Sequence, residues 1–219
     1  MIDHIRKLLY LVVLIGYSSA FSGSYEDFFI AIKQDDSRTV ESLLKRGFDP
    51  NARDPKGFHG LFLAVKEPSP KVATVLVAWP KTEVETRTAD DESPVMIASL
   101  NGDLELVRQM VRRGAHVNKP GWTALHYAAT NGHLPVMKFL LDESAYIDAE
   151  APSGATPLMM AAHYATPQAV KLLLDEGADP LLKDRRGLSA IDFANRANRS
   201  ESAELIAAHV RNRQPKGKW

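Results

Sequence analysis

Histidine is the residue type of this chain that could most readily carry acid–base or metal chemistry, because the sequence contains seven histidines and no cysteine. The absence of cysteine excludes disulfides, thiolate zinc sites and a cysteine nucleophile. The histidines are scattered, and the sequence has no His-Glu-x-x-His, Gly-x-Ser-x-Gly or Gly-Lys-Ser/Thr motif. Because a catalytic or metal site needs several convergent groups, we predict that the protein is not an enzyme and holds no metal or cofactor.

The charges of the chain are balanced, with 27 basic and 27 acidic residues and a formal net charge of zero. There is therefore no overall basic field that would attract nucleic acid. We interpret the acidic run Asp90-Asp91-Glu92 as a solvated turn rather than a cation site. Arg185-Arg186 and the basic tail at 211–218 could contact nucleic acid or lipid, but the neutral net charge argues against nucleic acid and a basic tail is usually solvated. Hydrophobic content of 45% is typical of a folded protein, so the composition predicts an ordinary folded domain that does not bind nucleic acid.

One stretch, which begins at Gly121, sets the organisation of the chain. Gly121 leads into an apolar, alanine-rich segment, Gly132 interrupts it, and a second apolar segment follows, which predicts a helix, a turn and a second helix. The pattern recurs downstream at Gly154 and again at Gly187, and upstream at Asp91 and at Gly57. Its spacing stays close to a single value, and a regular period of about 33 residues indicates stacked repeats.

The starts of these units resemble those of ankyrin repeats. Thr123-Ala124-Leu125-His126 and Thr156-Pro157-Leu158 are similar to the Thr-Pro-Leu-His start of the ankyrin unit, and the period near 33 agrees with it. The resemblance covers roughly residues 25–210. It implies an all-α ankyrin-repeat solenoid of about six helix-turn-helix units with short β-turn fingers, in which each unit packs on its neighbours.

The repeat divides the chain into consecutive segments. We predict a short linker at 21–24, an N-terminal capping repeat at 25–56, repeats at 57–90, 91–120, 121–153 and 154–186, a C-terminal capping repeat at 187–210, and a flexible basic tail at 211–219. The repeat at 57–90 is irregular, because Pro68 replaces the glycine between its helices and Trp79-Pro80 occupies the position where a helix should end in glycine. The finger before Gly121 is shorter than the next one, so we expect it to be truncated.

Residues 1–20 resemble a secretory signal. Arg6 and Lys7 precede a ten-residue apolar segment, and Ser18-Ser19-Ala20 supplies the small residues at which a signal peptidase cleaves, so cleavage is predicted after Ala20. An uncleaved anchor is the alternative, although the apolar segment is only about half of the roughly 20 residues that a spanning helix needs. The expected location of the mature protein is therefore the periplasm or the exterior, without stable membrane insertion.

Several repeated residues have predicted structural roles. Thr123 and Thr156 are expected to cap the first helices of their units by accepting hydrogen bonds from backbone N–H groups. His126 is expected to bridge hydroxyl and backbone groups of neighbouring turns, and His133 is also assigned a structural role. The leucines at 140–141 and 172–174 are expected to fill the core between repeats.

The resemblance to ankyrin repeats implies a protein partner that contacts the finger tips and the exposed face of the first helices. The positions that this assigns are Trp122, Tyr164, His163, Glu92, Leu188, Asn131, Lys119 and Arg185. Trp122 and Tyr164 stand out because large amphipathic rings often carry binding energy. We also expect Phe58, Trp122 and Leu188 to form an exposed apolar series. The alternative for Trp122 is that its ring folds over the shortened finger as a packing lid.

The sequence leaves two functional hypotheses open. The first is a non-catalytic adaptor or scaffold that binds another protein in the bacterial periplasm, and the second is an immunity-type inhibitor that neutralises a toxic secreted enzyme. The bacterial assignment depends on the short signal and on the resemblance to small exported bacterial ankyrin-repeat proteins. An effector delivered into a host cell and a eukaryotic secreted protein are the remaining alternatives. A monomer is expected in each case.

Overall fold

The computed structural model describes residues 23–213, which form two compact units that divide between Thr88 and Ala89. The predicted signal at 1–20 and its cleavage after Ala20 lie outside the described residues, as do residues 21–22 of the predicted linker and residues 214–219 of the predicted tail.

The first unit contains two helix pairs. Its helices are α1 (residues 23–33), α2 (Ser37–Lys45), α3 (Gly60–Lys66) and α4 (Pro70–Ala78). Residues 23–24 are helical and do not belong to a linker, which corrects the sequence prediction. The Tyr25 hydroxyl joins α1 to the Arg53 carbonyl oxygen, at 2.5 Å.

The irregular exit from the second repeat is confirmed. At the end of α4, Trp79 has an extended backbone (φ −72°, ψ 124°), and no helix forms among residues 79–88. In the regular unit that contains α6 (Leu104–Arg112), the chain instead turns through Gly114 with φ +95°. Pro80 accounts for the difference, because proline disfavours helical backbone in the residue before it.

Gly60 begins α3 where the helix meets the buried ring of Phe28. A Cβ atom on Gly60 would lie 2.7 Å from Phe28 Cε1 and 2.9 Å from its Cζ, and Phe28 is fully buried. We therefore expect Gly60→Ala to force the Phe28 ring aside and to lower the free energy of unfolding by about 1–3 kcal/mol. Urea denaturation followed by circular dichroism measures this. Gly23→Ala, where a Cβ would meet nothing within 4 Å, is the control, and equal stability of both variants would refute the close packing.

The second unit contains four helix pairs. Its helices are α5 (Pro94–Asn101), α6, α7 (Ala124–Asn131), α8 (Leu134–Asp142), α9 (Pro157–Tyr164), α10 (Pro167–Asp175), α11 (Ala190–Arg196) and α12 (Ser200–Arg213). The first helices of successive pairs pack on one another in the order α5, α7, α9, α11, and the second helices pack in the order α6, α8, α10, α12. The core lies between these two rows, where Leu125, Met137, Leu140 and Leu158 are fully buried.

Two details of the second unit differ from the sequence predictions. Leu140, Leu173 and Leu174 are buried, but Leu141 and Leu172 are only half-buried, because adjacent positions on a helix point about 100° apart. Helix α12 continues to Arg213, so residues 211–213 are helical and do not belong to a flexible tail.

The fold class is the predicted one. Residues 23–213 form six helix pairs, and their β structure is limited to an isolated bridge between Arg53 and His59. This is the all-α ankyrin-repeat fold. Within the same range, no helix combines the length and the apolar character that crossing a membrane requires.

Candidate protein-binding surface

The finger at 184–188 is held by a buried aspartate. The Asp184 side chain is fully buried and its Oδ1 accepts hydrogen bonds from the N–H groups of Arg186 (2.8 Å) and Leu188 (3.0 Å). Burial would raise the pKa of Asp184, but the hydrogen bonds from Leu188 and Arg186 outweigh it and hold the pKa below its usual value. Asp54 makes the same bonds to Lys56 and Phe58 (3.0 and 2.8 Å). The repeated Asp-x-x-Gly turn signal, at Asp54 and Asp184, could have revealed both aspartates from the sequence.

The shortened finger uses a lysine instead. Lys119 is only 6% exposed, and its Nζ donates to the Trp122 carbonyl oxygen (2.9 Å) and lies 2.5 Å from an Asp91 carboxylate oxygen. Asp91 has a left-handed backbone (φ +60°) and lies in the turn before α5, one repeat earlier than the turn that contains Lys119. One ammonium group therefore joins two neighbouring turns where the aspartate-based finger is absent.

Trp122 packs over this shortened finger. Its ring is half-buried and meets the rings of His126 and Tyr127 edge-on, with centroid distances of 5.2 and 6.3 Å. The Tyr127 hydroxyl donates to a Glu92 carboxylate oxygen at 2.8 Å. Burial, and then the hydrogen bond to Glu92, raise the pKa of Tyr127 above its ordinary value. The half-buried ring agrees with the alternative in which Trp122 acts as a packing lid.

Together, Asp91, Glu92, Lys119, Trp122 and Tyr127 form a connected group that we call the finger cluster. We expect Lys119→Met to lower the free energy of unfolding by about 1–3 kcal/mol, because hydrogen bonds to a charged group contribute more than neutral ones. The Trp122 ring should also become mobile. Urea denaturation measures the first effect, and the ¹⁹F NMR line of fluorotryptophan at position 122, assigned with Trp122→Phe, measures the second.

Lys138→Met is the matched control for Lys119→Met. Lys138 is 50% exposed and pairs with Asp142 and Glu176 at the surface, where an ion pair contributes roughly 0–1 kcal/mol. If both variants lost the same stability and the Trp122 resonance stayed unchanged, the proposed role of Lys119 in holding the finger would be wrong.

Carbonyl oxygens at the ends of first helices accept hydrogen bonds from side chains of the following repeat. The Leu100 carbonyl oxygen at the end of α5 accepts hydrogen bonds from Asn131 Nδ2 and His133 Nε2, both at 2.8 Å. The structural role predicted for His133 is therefore confirmed. Asn131 is exposed, but its amide nitrogen is already engaged in this contact.

Helix α9 ends differently, since Ala165 has an extended backbone (φ −95°) where α5 and α7 end in a left-handed glycine. The Arg199 guanidinium replaces that cap by donating to the carbonyl oxygens of His163 (2.8 Å), Tyr164 (2.8 Å) and Ala165 (2.9 Å). Three charge-assisted hydrogen bonds fix the backbone at this helix end.

His163 and Tyr164 lie at this fixed end. Tyr164 is 53% exposed, and the His163 ring meets its ring edge-on at 4.3 Å. The His163 Nδ1 atom lies 3.2 Å from the Phe193 carbonyl oxygen. The sequence predicted an exposed side chain at position 163, but His163 is half-buried. Tyr164 is thus an aromatic side chain that projects from a rigid backbone.

Buried histidines complete the starts of the first helices. The bridging role of His126 is confirmed: its Nε2 lies 3.0 Å from the Ala155 carbonyl oxygen, and its Nδ1 lies 2.9 Å from the Thr123 hydroxyl and 3.2 Å from the Thr123 nitrogen. The Thr123 hydroxyl also contacts the His126 imidazole within a capping box at the start of α7, and Thr156 accepts from the Met159 N–H at 3.4 Å, as predicted. Burial lowers the pKa of His126 to about 4.

His59 was not predicted to have a role. It occupies the capping position of α3, where its Nδ1 accepts from the Leu61 N–H (3.1 Å) and its Nε2 lies 3.1 Å from Asn51 Oδ1. Burial, and then the charge of Arg53, lower the pKa of His59 to about 4. Alignment of Gly57 with Gly121 places His59 at the position of Thr123, and this alignment is the sequence signal that could have identified it.

The structure brings only some of the predicted partner-binding residues together. Trp122, Glu92 and Lys119 belong to the finger cluster, whereas His163, Tyr164 and Asn131 lie at the ends of first helices. Arg185 is exposed, and its N–H donates to the Ser153 carbonyl oxygen of the neighbouring finger at 2.9 Å.

The expected exposed apolar series is wrong, because Phe58, Trp122 and Leu188 are each half-buried against their own unit. The large apolar side chains that are exposed among the described residues are Ile30, Tyr146, Tyr164 and Leu181. Within residues 23–213, no group of three or more histidine, aspartate or glutamate side chains is placed to hold a metal ion.

Comparison with known proteins identifies the family. A family model described as ankyrin repeats (3 copies) matches residues 28–119 and 61–151, and a second, described as ankyrin repeats (many copies), matches residues 145–194. The chain belongs to the ankyrin repeat family, and it is a protein–protein interaction module.

Similar proteins are found in bacteria. YahD, an ankyrin repeat protein of Escherichia coli, is 28% identical over 192 residues, which cover 83% of this chain and 94% of YahD. An ankyrin repeat domain of Acinetobacter baumannii superposes with a TM-score of 0.71 and 26% identity, covering 84% of this chain and 97% of that chain. A chain in the solved complex of a predatory endopeptidase of Bdellovibrio bacteriovorus with an immunity protein has a TM-score of 0.71 and 25% identity, covering 83% of this chain and 97% of that chain.

Other relatives are much longer. The chain is 35% identical over 132 residues to the mouse ankyrin repeat and SAM domain-containing protein 6, but the match spans 14% of that protein. The match to the Drosophila palmitoyltransferase Hip14 spans 16% of its length. The chain therefore spans less than a fifth of the length of each of these two relatives.

Proposed function

We propose that this protein is a non-catalytic adaptor that binds another exported protein in the bacterial periplasm. The observation that carries the proposal is Tyr164, an exposed aromatic ring on a helix end that three hydrogen bonds from Arg199 hold in place. Exposed tyrosine is enriched among residues that dominate binding energy, and a rigid backbone lowers the entropic cost of binding. The finger cluster, with the half-buried ring of Trp122, supplies a second element of the same compact unit.

The test uses the full chain with a C-terminal affinity tag, expressed in its own organism and captured from the envelope fraction. We expect one partner to be retained by the wild type and to be reduced at least tenfold with Tyr164→Ala. Tyr146→Ala is the matched control, because Tyr146 is 68% exposed in the loop after α8 and lies outside the proposed surface. Equal capture by all three proteins, at equal helicity, would contradict the proposed surface.

The periplasmic location is tested separately. We expect the tagged protein to be released with the periplasmic fraction, and the amino-terminal sequence of the released protein to begin at Phe21. Retention in the cytoplasmic fraction with residues 1–20 still attached would overturn the proposed location. It would leave the Tyr164 result unaffected.

A second candidate function is inhibition of a toxic secreted enzyme. The likeness to a chain in the complex of a predatory endopeptidase with an immunity protein supports it, since the match covers 97% of that chain. If the captured partner is an enzyme, an inhibitor should reduce its activity at least tenfold at a one-to-one ratio. Unchanged activity of the bound enzyme would favour the adaptor.

A further inference from the structure

A small cleft lies at the ends of the second helices of the first unit. It has a volume of about 280 Å³ and is lined by Leu44 of α2 and by the loops that follow α2 and α4, at residues 47–51 and 79–81. We call it the exit cleft. Its lining includes no residue of a first helix, of the finger at 54–58 or of the second unit, so it is separate from the surface proposed above.

The irregular exit of the second repeat contributes one side of this cleft. Lys81 is the third residue after the nine-residue helix α4, and it is exposed. In three regular repeats, the third residue after the nine-residue second helix is a buried alanine, at Ala115, Ala145 and Ala178. The departure follows the extended backbone at Trp79 and the turn that the Thr82 N–H closes on the Trp79 carbonyl oxygen, at 3.0 Å. The second repeat therefore carries a lysine at the cleft where regular repeats bury a methyl group.

Hydrogen bonds hold the two loops of the exit cleft at a fixed spacing. Asn51 Nδ2 donates to the Lys81 carbonyl oxygen (2.9 Å), and Asn51 Oδ1 accepts from the Glu83 N–H (2.8 Å). Phe48 is buried, and its ring packs on Phe28 with centroids 4.8 Å apart. The cleft is therefore preformed, which lowers the entropic cost of binding a small molecule.

The exit cleft carries one charge of each sign. Asp49 and Lys81 are its two charged lining residues, both are exposed, and neither forms an ion pair with any residue of the described range 23–213. Asp49 Oδ1 accepts from the Asn51 N–H at 2.9 Å, so Oδ2 remains open to a ligand. Opposite charges that do not pair with each other are complementary to a molecule that carries both an ammonium and a carboxylate group.

The remaining lining limits the size and polarity of such a molecule. Leu44, Phe48 and Pro50 are buried and Trp79 is half-buried, so the wall beside the two charges is mostly apolar. Drug-sized ligands occupy pockets of about 300–1,000 Å³. A cleft of about 280 Å³ therefore suits a smaller molecule that has an apolar group next to its charges.

We propose that the exit cleft binds a free α-amino acid with an apolar or aromatic side chain. The α-ammonium group pairs with Asp49, the α-carboxylate pairs with Lys81, and the side chain packs against Trp79. This is a small-molecule site beyond the proposed function, and it needs no protein partner.

The first test changes the ligand and leaves the protein intact. The full chain labelled with fluorotryptophan is titrated with L-phenylalanine and with L-leucine, and the ¹⁹F resonance of Trp79 is assigned with Trp79→Phe. We expect a saturable shift of this resonance. N-acetyl-L-phenylalanine lacks the ammonium group and L-phenylalaninamide lacks the carboxylate, so each should bind at least tenfold more weakly. Absence of a shift with both amino acids up to their solubility limits, equal binding of the two derivatives, or tighter binding of D-glucose would overturn the proposal.

The second test changes the two charges of the cleft. Asp49→Asn and Lys81→Met should each weaken binding of L-phenylalanine at least tenfold, since asparagine at position 49 can still accept the loop hydrogen bond but carries no charge. Glu83→Gln and Lys71→Met are the matched controls, because both residues are exposed in the first unit and do not line the cleft. Equal affinity of all four variants and the wild type, at unchanged helicity, would refute the assignment. Tyr164→Ala should leave amino-acid binding unchanged, so failure here and failure of the proposed function can be told apart.

Discussion

Acidification from pH 7 to pH 4.5 is expected to lower the free energy of unfolding by roughly 2 kcal/mol for each of two buried histidines. His59 lies in the first unit and His126 in the second, and burial lowers the pKa of each from 6.5 to about 4. Because each unit contains one of them, both units should lose stability over the same range of pH.

The hydrogen bonds explain why the protonated imidazoles are unfavourable. In His126, Nδ1 faces the N–H and hydroxyl of Thr123, and in His59 it faces the N–H of Leu61. These neighbours donate, so Nδ1 must remain an acceptor, and a proton there would place two donors against each other. The folded protein therefore keeps both rings neutral.

The sign of the effect follows from proton uptake. Between pH 6.5 and about 4, the unfolded chain binds protons at these histidines and the folded protein does not, so acid favours unfolding. The stabilisation is fully present above pH 6.5 and is lost as the pH falls toward 4. The aspartates with lowered pKa values, Asp36, Asp184 and Asp192, lose their contributions only below their ordinary pKa of 3.8.

Urea denaturation at pH 7.0, 6.0, 5.0 and 4.5 measures this dependence. His126→Gln should reduce the slope of stability against pH in that window, even though it lowers stability at neutral pH. Leu181→Ala, at an exposed position and without a titratable group, is the control and should retain the wild-type slope. A wild-type stability that does not change between pH 7.0 and 4.5 would show that the rings are not held neutral.

Truncation of Leu140 to alanine is expected to lower the free energy of unfolding by about 2–5 kcal/mol. Leu140 is fully buried in α8, in the row of second helices between α6 and α10. Loss of its side chain removes apolar burial and leaves a cavity that the packed neighbours fill only in part. Because each repeat depends on its neighbours for its core, the loss should reach the adjacent units of the stack.

The measurement is chemical denaturation of Leu140→Ala, with Leu181→Ala as the control. Leu181 is 64% exposed, so its truncation should change stability by about 0.5 kcal/mol or less. Hydrogen exchange should show faster amide exchange in α6 and α10 of Leu140→Ala than in the wild type. Equal effects of the two substitutions would mean that position 140 is not in the core.

Much of the fold could be predicted because the repeat is written in local patterns. The threonine-led helix starts and the helix-ending glycines set the backbone within a few residues, and they recur with a period near 33. Together these signals identify six helix pairs without tertiary information. The altered exit at Trp79-Pro80 could be predicted for the same reason, since proline restricts the residue before it.

The candidate site was less accessible to sequence reasoning. The repeat pattern favoured Trp122 and Leu188 as exposed apolar residues at finger tips, but each is half-buried by contacts within the second unit. The role of Lys119 depends on the Asp91 carboxylate at the opposite end of its own repeat. The role of Arg199 depends on carbonyl oxygens at the end of α9, in the neighbouring repeat. Spacing alone gives no sign of these contacts.

The sequence by itself determined the family, the number of repeats and the positions of the turns, because these depend on short-range backbone preferences and hydrophobic periodicity. Only the tertiary structure decided which aromatic rings stay exposed and which leucines are buried. Those properties depend on which side chains of neighbouring repeats cover one another, and a side chain's exposure is set by that packing rather than by its own place in the repeat.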